Sequence, residues 1–178
     1  MSRRFAMPLL ALLASAVAVG RADEIVIDFE QAEIGKPQPT WTEKGVVFNL
    51  AGPLTTSKAI GRIMFFPHLA TNHKGILNAM ATEQAIPVQA TFPSIVSAVT
   101  LVLWGSTGCP AVVEALDRNG EVVDKASVPA VPGRQAPGDA IPFLQLTVKA
   151  PAIAAIRFSG PRNGEFLAAD EIRYTTAK

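Results

Sequence analysis

The stretch FFPHLATNHKG, Phe65 to Gly75, carries both histidines of the chain, His68 and His73, beside Asn72 and Lys74, with Asn78 close behind. Imidazoles in a polar loop suggest three chemistries: metal ligation, base catalysis and non-covalent ligand contact. Zinc needs four tetrahedral ligands at short spacings, and H-x4-H without a second pair does not supply them. A catalytic base needs a nucleophile, yet Ser57, Ser94 and Ser106 stand in no G-x-S-x-G or similar motif. Cys109, the single cysteine, has no recognisable partner base, and it reads as a buried small residue at a strand edge. Non-covalent contact through His68, Asn72, His73, Lys74 and Asn78 is the reading left for this cluster, against ordinary loop packing. No catalytic residue is assigned, and no phosphate loop or metal-hydrolase motif is present.

Aromatic platforms are the second chemistry to weigh, because a sugar's apolar face lies on exposed rings while planar polar groups take its hydroxyls. The chain has two tryptophans. Trp104 ends an apolar run and is expected in the core. Trp41 follows the Pro-rich GKPQPT and is open to either packing or ligand contact.

The elements that must position these residues read as strands. Ile25, Ile27 and Phe29 alternate with Val26, Asp28 and Glu30, and Val46, Phe48 and Leu50 alternate with Val47 and Asn49, which is period two. Ile86 to Phe92 alternates up to Pro93, and Ile95 to Trp104 is apolar on both faces, as in a strand covered on both sides. Ala111 to Val128 is a hairpin pattern turning at Asp117-Arg118-Asn119-Gly120, with Val113, Ala115 and Val123 expected on one face. The Pro-rich 129–142 segment is expected to cover an end of the fold or to form part of a binding surface. FLQLTV, AIAAIRFSG and EFLAADEIRY then give three strands, separated at Lys149-Ala150-Pro151 and at the Gly160-Pro161-Arg162-Asn163-Gly164 turn. Asn72 to Thr82 reads equally as a short helix or a strand. Fourteen prolines and thirteen glycines break the chain too often for long helices. Eight or nine short strands at such spacing predict an all-β, antiparallel jelly-roll sandwich.

Residues 1–22 are set apart from this domain. Ser2-Arg3-Arg4, the apolar run Phe5 to Val19 and the small residues around Ala22 read as a secretory signal peptide cut after Ala22, or alternatively after Gly20. The apolar run is shorter than the roughly 20 residues a membrane span needs. Residues 23–178 then form one domain, large enough for a core. Loss of Arg3, Arg4 and Arg21 turns the formal charge from +1 to −2. That balance gives no basic footprint for nucleic acid or anionic lipid. The protein is expected to be secreted or periplasmic, with no stable membrane span after cleavage.

The order IDFE, QATFPSIVSAVTLVLW, VVEALDRNGEVVDKASV, LTVKAPAIAAIRFSG and EFLAADEIRY resembles the secreted bacterial jelly rolls related to galactose-binding domains, which occur in exported proteins with PEP-CTERM sorting tails. The resemblance spans nearly all of residues 23–178. The sequence ends TTAK, without Pro-Glu-Pro or a membrane helix, so membrane-coupled sorting is not implied. What is implied is a binding accessory: recognition of glycan or envelope material, or alternatively a structural or protein-interaction role in the envelope. An enzyme of unrecognised mechanism is the third reading.

In such jelly rolls the terminal strands lie close together and often carry a structural calcium, which implies Asp28, Glu30 and Asp170 as candidate ligands. Strict alternation turns Asp170 inward and Asp28 and Glu30 outward, so a bulge is needed to unite them. Without an ion, an inward Asp170 is expected to accept backbone N–H bonds from a neighbouring loop.

Overall fold

A computed structural model describes residues 23–51, 63–68, 71–77, 79–80, 85–133, 136, 139–159 and 167–176. The expected signal peptide, Asn78 and the 160–164 turn lie outside these residues. Among the described residues every regular element is a strand: β1 (Glu24–Ile27), β2 (Trp41–Glu43), β3 (Val46–Leu50), β4 (Met64–Pro67), β5 (Lys74–Leu77), β6 (Ala79–Met80), β7 (Ala85–Ile86), β8 (Val88–Gly105), β9 (Ala111–Leu116), β10 (Val122–Val128), β11 (Leu144–Ser159) and β12 (Leu167–Thr176). The undecided segment Asn72 to Thr82 is strand at Lys74–Leu77 and Ala79–Met80, after loop residues Asn72 and His73. No helix among these residues is long and apolar enough to cross a membrane.

Two long strands organise the sheet. Pro93 and Pro151, expected to separate strands, instead lie inside β8 and β11, where the pairing register slips between Thr91↔Ala155, Val96↔Ile153 and Ala98↔Lys149. Proline has no N–H to give a ladder, so it is tolerated where a bulge interrupts pairing. On one side of these slips β3 and β9 flank the ends of β8 and β11, with β2 and β10 outside them. On the other side β8 pairs with β12, whose far edge carries β1 and β5, and β4 completes that half. All pairings are antiparallel.

The two halves share one core, which makes the fold an antiparallel β-sandwich. Phe29, just past β1, meets Phe48 of β3 edge to face at 5.3 Å, and Phe92 of β8 meets Tyr174 of β12 at 4.9 Å. Period-two burial supplies the inward side chains: Val46 and Phe48, Val113 and Ala115, Ile172 and Tyr174 are all buried. Each buried Val, Ile or Phe among them contributes about 1.5–3 kcal/mol. Val123 departs from expectation. It is the extra residue of a β10 bulge between Val122↔Leu116 and Asp124↔Ala115, and it stays 42% exposed.

The last turn of β8 is apolar on both faces because both are covered. Leu101 and Leu103 join the main core, whereas Trp104 packs with Ala168 and Ile141 in a second cluster on the opposite face. The Pro-rich segment supplies Ile141 there, and its Val131 is buried, with its N–H donating to the Cys109 carbonyl at 2.6 Å. Cys109 itself is buried, as expected.

Candidate functional site

Most of the residues singled out from sequence meet at one rim of the sandwich. β4 and β5 pair from Met64↔Leu77 to Pro67↔Lys74, so His68 and His73 face each other across the loop between them. The His68 N–H donates to the His73 carbonyl at 2.7 Å, and the Asn72 N–H donates to the His68 carbonyl at 2.8 Å. Asn72 has φ +61°, a left-handed conformation that asparagine tolerates better than most residues.

His68 is buried, and its environment sets its tautomer. Nε2 lies 2.7 Å from the Ile141 carbonyl, an acceptor only, so Nε2 carries the proton. Nδ1 lies 3.3 Å from the Thr71 hydroxyl. The ring stacks on Phe143 and meets Trp104 edge-on. His68 thus ties the β4–β5 loop to the Pro-rich segment. His73 by contrast exposes 62% of its side chain, and its Nδ1 stands 3.6 Å from Oδ2 of Asp170.

Asp170 occupies a bulge, the irregularity that the sequence argument required. β12 pairs Ala169↔Leu103 and then Glu171↔Val102, leaving Asp170 as the extra residue. On the other edge of β12, β1 stops at Ile27↔Ile172 and β5 begins at Ile76↔Ala169, so Asp170 sits where the two strands meet end to end. The residue is 6% exposed and its Oδ1 has no hydrogen-bond partner; among the described residues no backbone N–H of the kind expected from a neighbouring loop donates to it. Burial pushes its pKa up, and the neighbouring His73 only partly offsets that rise.

The three acids implied as calcium ligands stand in different settings. Among the described residues no group of three His, Cys, Asp or Glu side chains is placed to hold a metal ion. The outward acids have other tasks: Oε1 of Glu30 accepts the Lys74 N–H at 3.1 Å, the Lys74 ammonium donates to the Glu30 carbonyl, and Oδ1 of Asp28 accepts the Glu30 N–H at 3.2 Å. Asp28 and Glu30, just past the end of β1, serve the strand junction, so the bulge at Asp170 alone does not unite the three.

Trp41 lies apart from the histidines. Its ring meets Phe65 edge-on at 5.3 Å and its indole N–H donates to Oε2 of Glu43 at 3.3 Å, which makes it a half-buried packing residue.

A different surface holds the concavity. On the outer face of the half containing β3, β8, β11, β9 and β10, a cleft of about 380 Å³ opens over Gln89, Thr91, Ala155 and Leu116. One wall is the β8 bulge, Phe92 to Ile95, and the other is the β9–β10 turn, Asp117, Arg118 and Gly120. The turn is stiff: Oδ1 of Asp117 accepts the N–H groups of Asn119 and Glu121 at 2.8 and 2.9 Å, Oδ2 accepts from the Asn119 amide, and Gly120 takes φ +82°. The bulge wall is backed by the two-residue β2–β3 turn, Lys44 and Gly45, both at positive φ, where a Cβ on Gly45 would stand 3.3 Å from Pro93. Sequence reasoning marked both walls as chain breaks but not as partners.

Beside the cleft, Glu114 joins two cations: Oε2 lies 2.6 Å from Nε of Arg157 and Oε1 lies 3.2 Å from Nζ of Lys125. Burial alone would raise the Glu114 pKa, but hydrogen bonds from Arg157 and Lys125 outweigh it and hold the carboxyl below its usual value.

No protein-family model matches the chain, and no curated protein does. Solved structures similar to it include the K1 cleaved adhesin domain of Lys-gingipain from Porphyromonas gingivalis W83, at 11% identity and TM-score 0.48, covering 88% of this chain and 99% of that one. A DUF4465 family protein from Bacteroides caccae is similar at 10% identity and TM-score 0.46, covering 86% and 99%. A carbohydrate-binding module from Cellvibrio mixtus lichenase 5A, in complex with cellotriose, is similar at 14% identity and TM-score 0.38, covering 74% and 97%. Likeness at this level gives no residue-by-residue correspondence.

Proposed function

We propose that this protein is an exported, non-catalytic module that recognises glycan in the cleft between the β8 bulge and the β9–β10 turn. The observation that carries the reading is the lining of that cleft. An amide (Gln89), two hydroxyls (Thr91 and Ser94) and a guanidinium (Arg118) surround an apolar floor of Ala155 and Leu116. Hydroxyl-rich ligands need such planar and hydroxylic groups at their edges and an apolar surface under their rings. Preorganisation supports it further, because both walls are held by backbone geometry and bind without a large ordering cost. The cleft's one carboxylate, Asp117, is committed to the N–H groups of its own turn, which suits binding rather than acid–base chemistry. Export rests on the reading of residues 1–22, and N-terminal sequencing of the mature protein should begin at Asp23.

The test is a glycan array followed by calorimetry on the best ligand. Gln89→Ala and Arg118→Ala should each weaken binding about tenfold, the loss of roughly one hydrogen bond to a ligand. Loss of binding in Trp41→Ala with Gln89→Ala unaffected would move the site away from the cleft. Silence on the array with retention of an envelope protein would replace glycan recognition by a scaffold role.

A further inference from the structure

The cleft lies on a longer pattern. Outward residues on β3, β8, β11, β9 and β10 fall into two straight rows set by the pairing register. Asn49↔Gln89, Gln89↔Arg157, Arg157↔Glu114 and Glu114↔Lys125 make one row, which is polar throughout. Val47↔Thr91, Thr91↔Ala155, Ala155↔Leu116 and Leu116↔Val122 make the other, which is apolar except for Thr91. Strands lie about 4.8 Å apart, so each row runs roughly 19 Å, and two residues along a strand set the rows roughly 7 Å apart.

Three facts show that these rows form a surface and not a coincidence of numbering. Ala155 and Leu116 are buried yet stand outside the main core, as the floor of an outer-face cleft must. Val47 and Val122, the two ends of the apolar row, are among the large hydrophobics left exposed, at 40% and 45%. The charges of the polar row are already paired with one another through Glu114, so they hold their places without a ligand.

We propose that the two rows are one track, that the cleft is its centre, and that the ligand is the interior of a linear polysaccharide lying across the five strands. The proposal rests on the glycan reading above. A sugar chain has apolar ring faces bordered by hydroxyls, and an apolar row beside a polar row repeats that division over a distance of several rings. A pocket for a chain end would be closed at one side, whereas here the rows continue past the cleft in both directions, to Val47 and Asn49 on β3 and to Val122 and Lys125 on β10. The amides of Gln89 and Asn49 donate to the Thr91 hydroxyl at 3.4 Å and to the Leu50 carbonyl at 3.1 Å, which orients them and leaves their carbonyl oxygens as acceptors for hydroxyls, and the ion pairs add donors whose positions are fixed.

The experiment is affinity electrophoresis of the full mature chain through gels containing cellulose derivatives, xylan, galactan, mannan or starch. Oligosaccharides of the retaining polymer, from one to six units, are then used as competitors. A hexasaccharide should compete at least about tenfold better than a disaccharide. Asn49→Ala combined with Lys125→Ala should weaken hexasaccharide binding about fivefold or more. Arg173→Ala, on the other half of the sheet, should leave it unchanged, and circular dichroism checks that all variants fold. Equal competition by mono- and hexasaccharide would overturn the track while leaving glycan binding in the cleft. Retention by no polymer, with no sugar bound in calorimetry, would overturn both.

Discussion

Asp170 is a polar group in an apolar place, and its effect on stability has a definite sign. Its pKa is raised chiefly by burial, so over a range of pH the folded chain keeps a proton that the unfolded chain has released. The stabilisation linked to this group is fully present below the ordinary carboxylate value and is lost as pH rises through the raised folded value. Asp170→Asn, which mimics the protonated form, should therefore raise the melting temperature at pH 7 and lose that advantage at acid pH. Thermal melts of both proteins between pH 4 and 8 check this, and parallel curves would assign the pH dependence to other groups. Glu114 runs the opposite way. Its lowered pKa gives stabilisation that is present above the ordinary carboxylate value and fades as pH falls through the depressed folded value. At this scale the sequence showed which residues were unusual, but not their partners. Asp170 was legible as an inward acid and both histidines as loop residues, whereas the closure of His68 by Ile141 needed a segment 73 residues away to meet it.

Strands here are set by alternation and interrupted by bulges, and the small residues at their contacts are as constrained as the large ones. Gly75 of β5 shows it: a Cβ there would stand 3.0 Å from Nε1 of Trp104 and 3.2 Å from both Cβ of Ala168 and the Ala169 carbonyl oxygen. Gly75→Ala must push the indole or β12 aside, and should cost about 1–3 kcal/mol, read as a lower midpoint in denaturant unfolding. An unchanged midpoint would mean that β5 shifts freely along β12. Element types were legible wherever period two was clear, as in Val46 to Leu50 and Ala111 to Val128. Boundaries were not. Pro93 and Pro151 look like strand ends in one dimension, and only the partner's slip in register lets the chain pass through them as bulges.

Across the whole molecule the two halves of one bent sheet depend on each other through a few aromatic contacts. Phe48 is fully buried against Phe29, at the meeting of β3 with the segment after β1. Phe48→Ala should cost about 3–5 kcal/mol, a large share of the roughly 5–15 kcal/mol by which domains of this kind are stable, and chemical denaturation measures it. The all-β class, the hairpin at Asp117 to Gly120 and the inward or outward face of most strand residues were already determined by the sequence, because alternation and turn chemistry are local properties of neighbouring residues. The cleft and the two rows beside it were decided by tertiary structure alone. Asn49, Gln89, Glu114, Lys125 and Arg157 are scattered over more than a hundred positions and acquire a common line only through inter-strand register. Register is fixed by bulges and by burial of the opposite face, which no single strand's sequence contains.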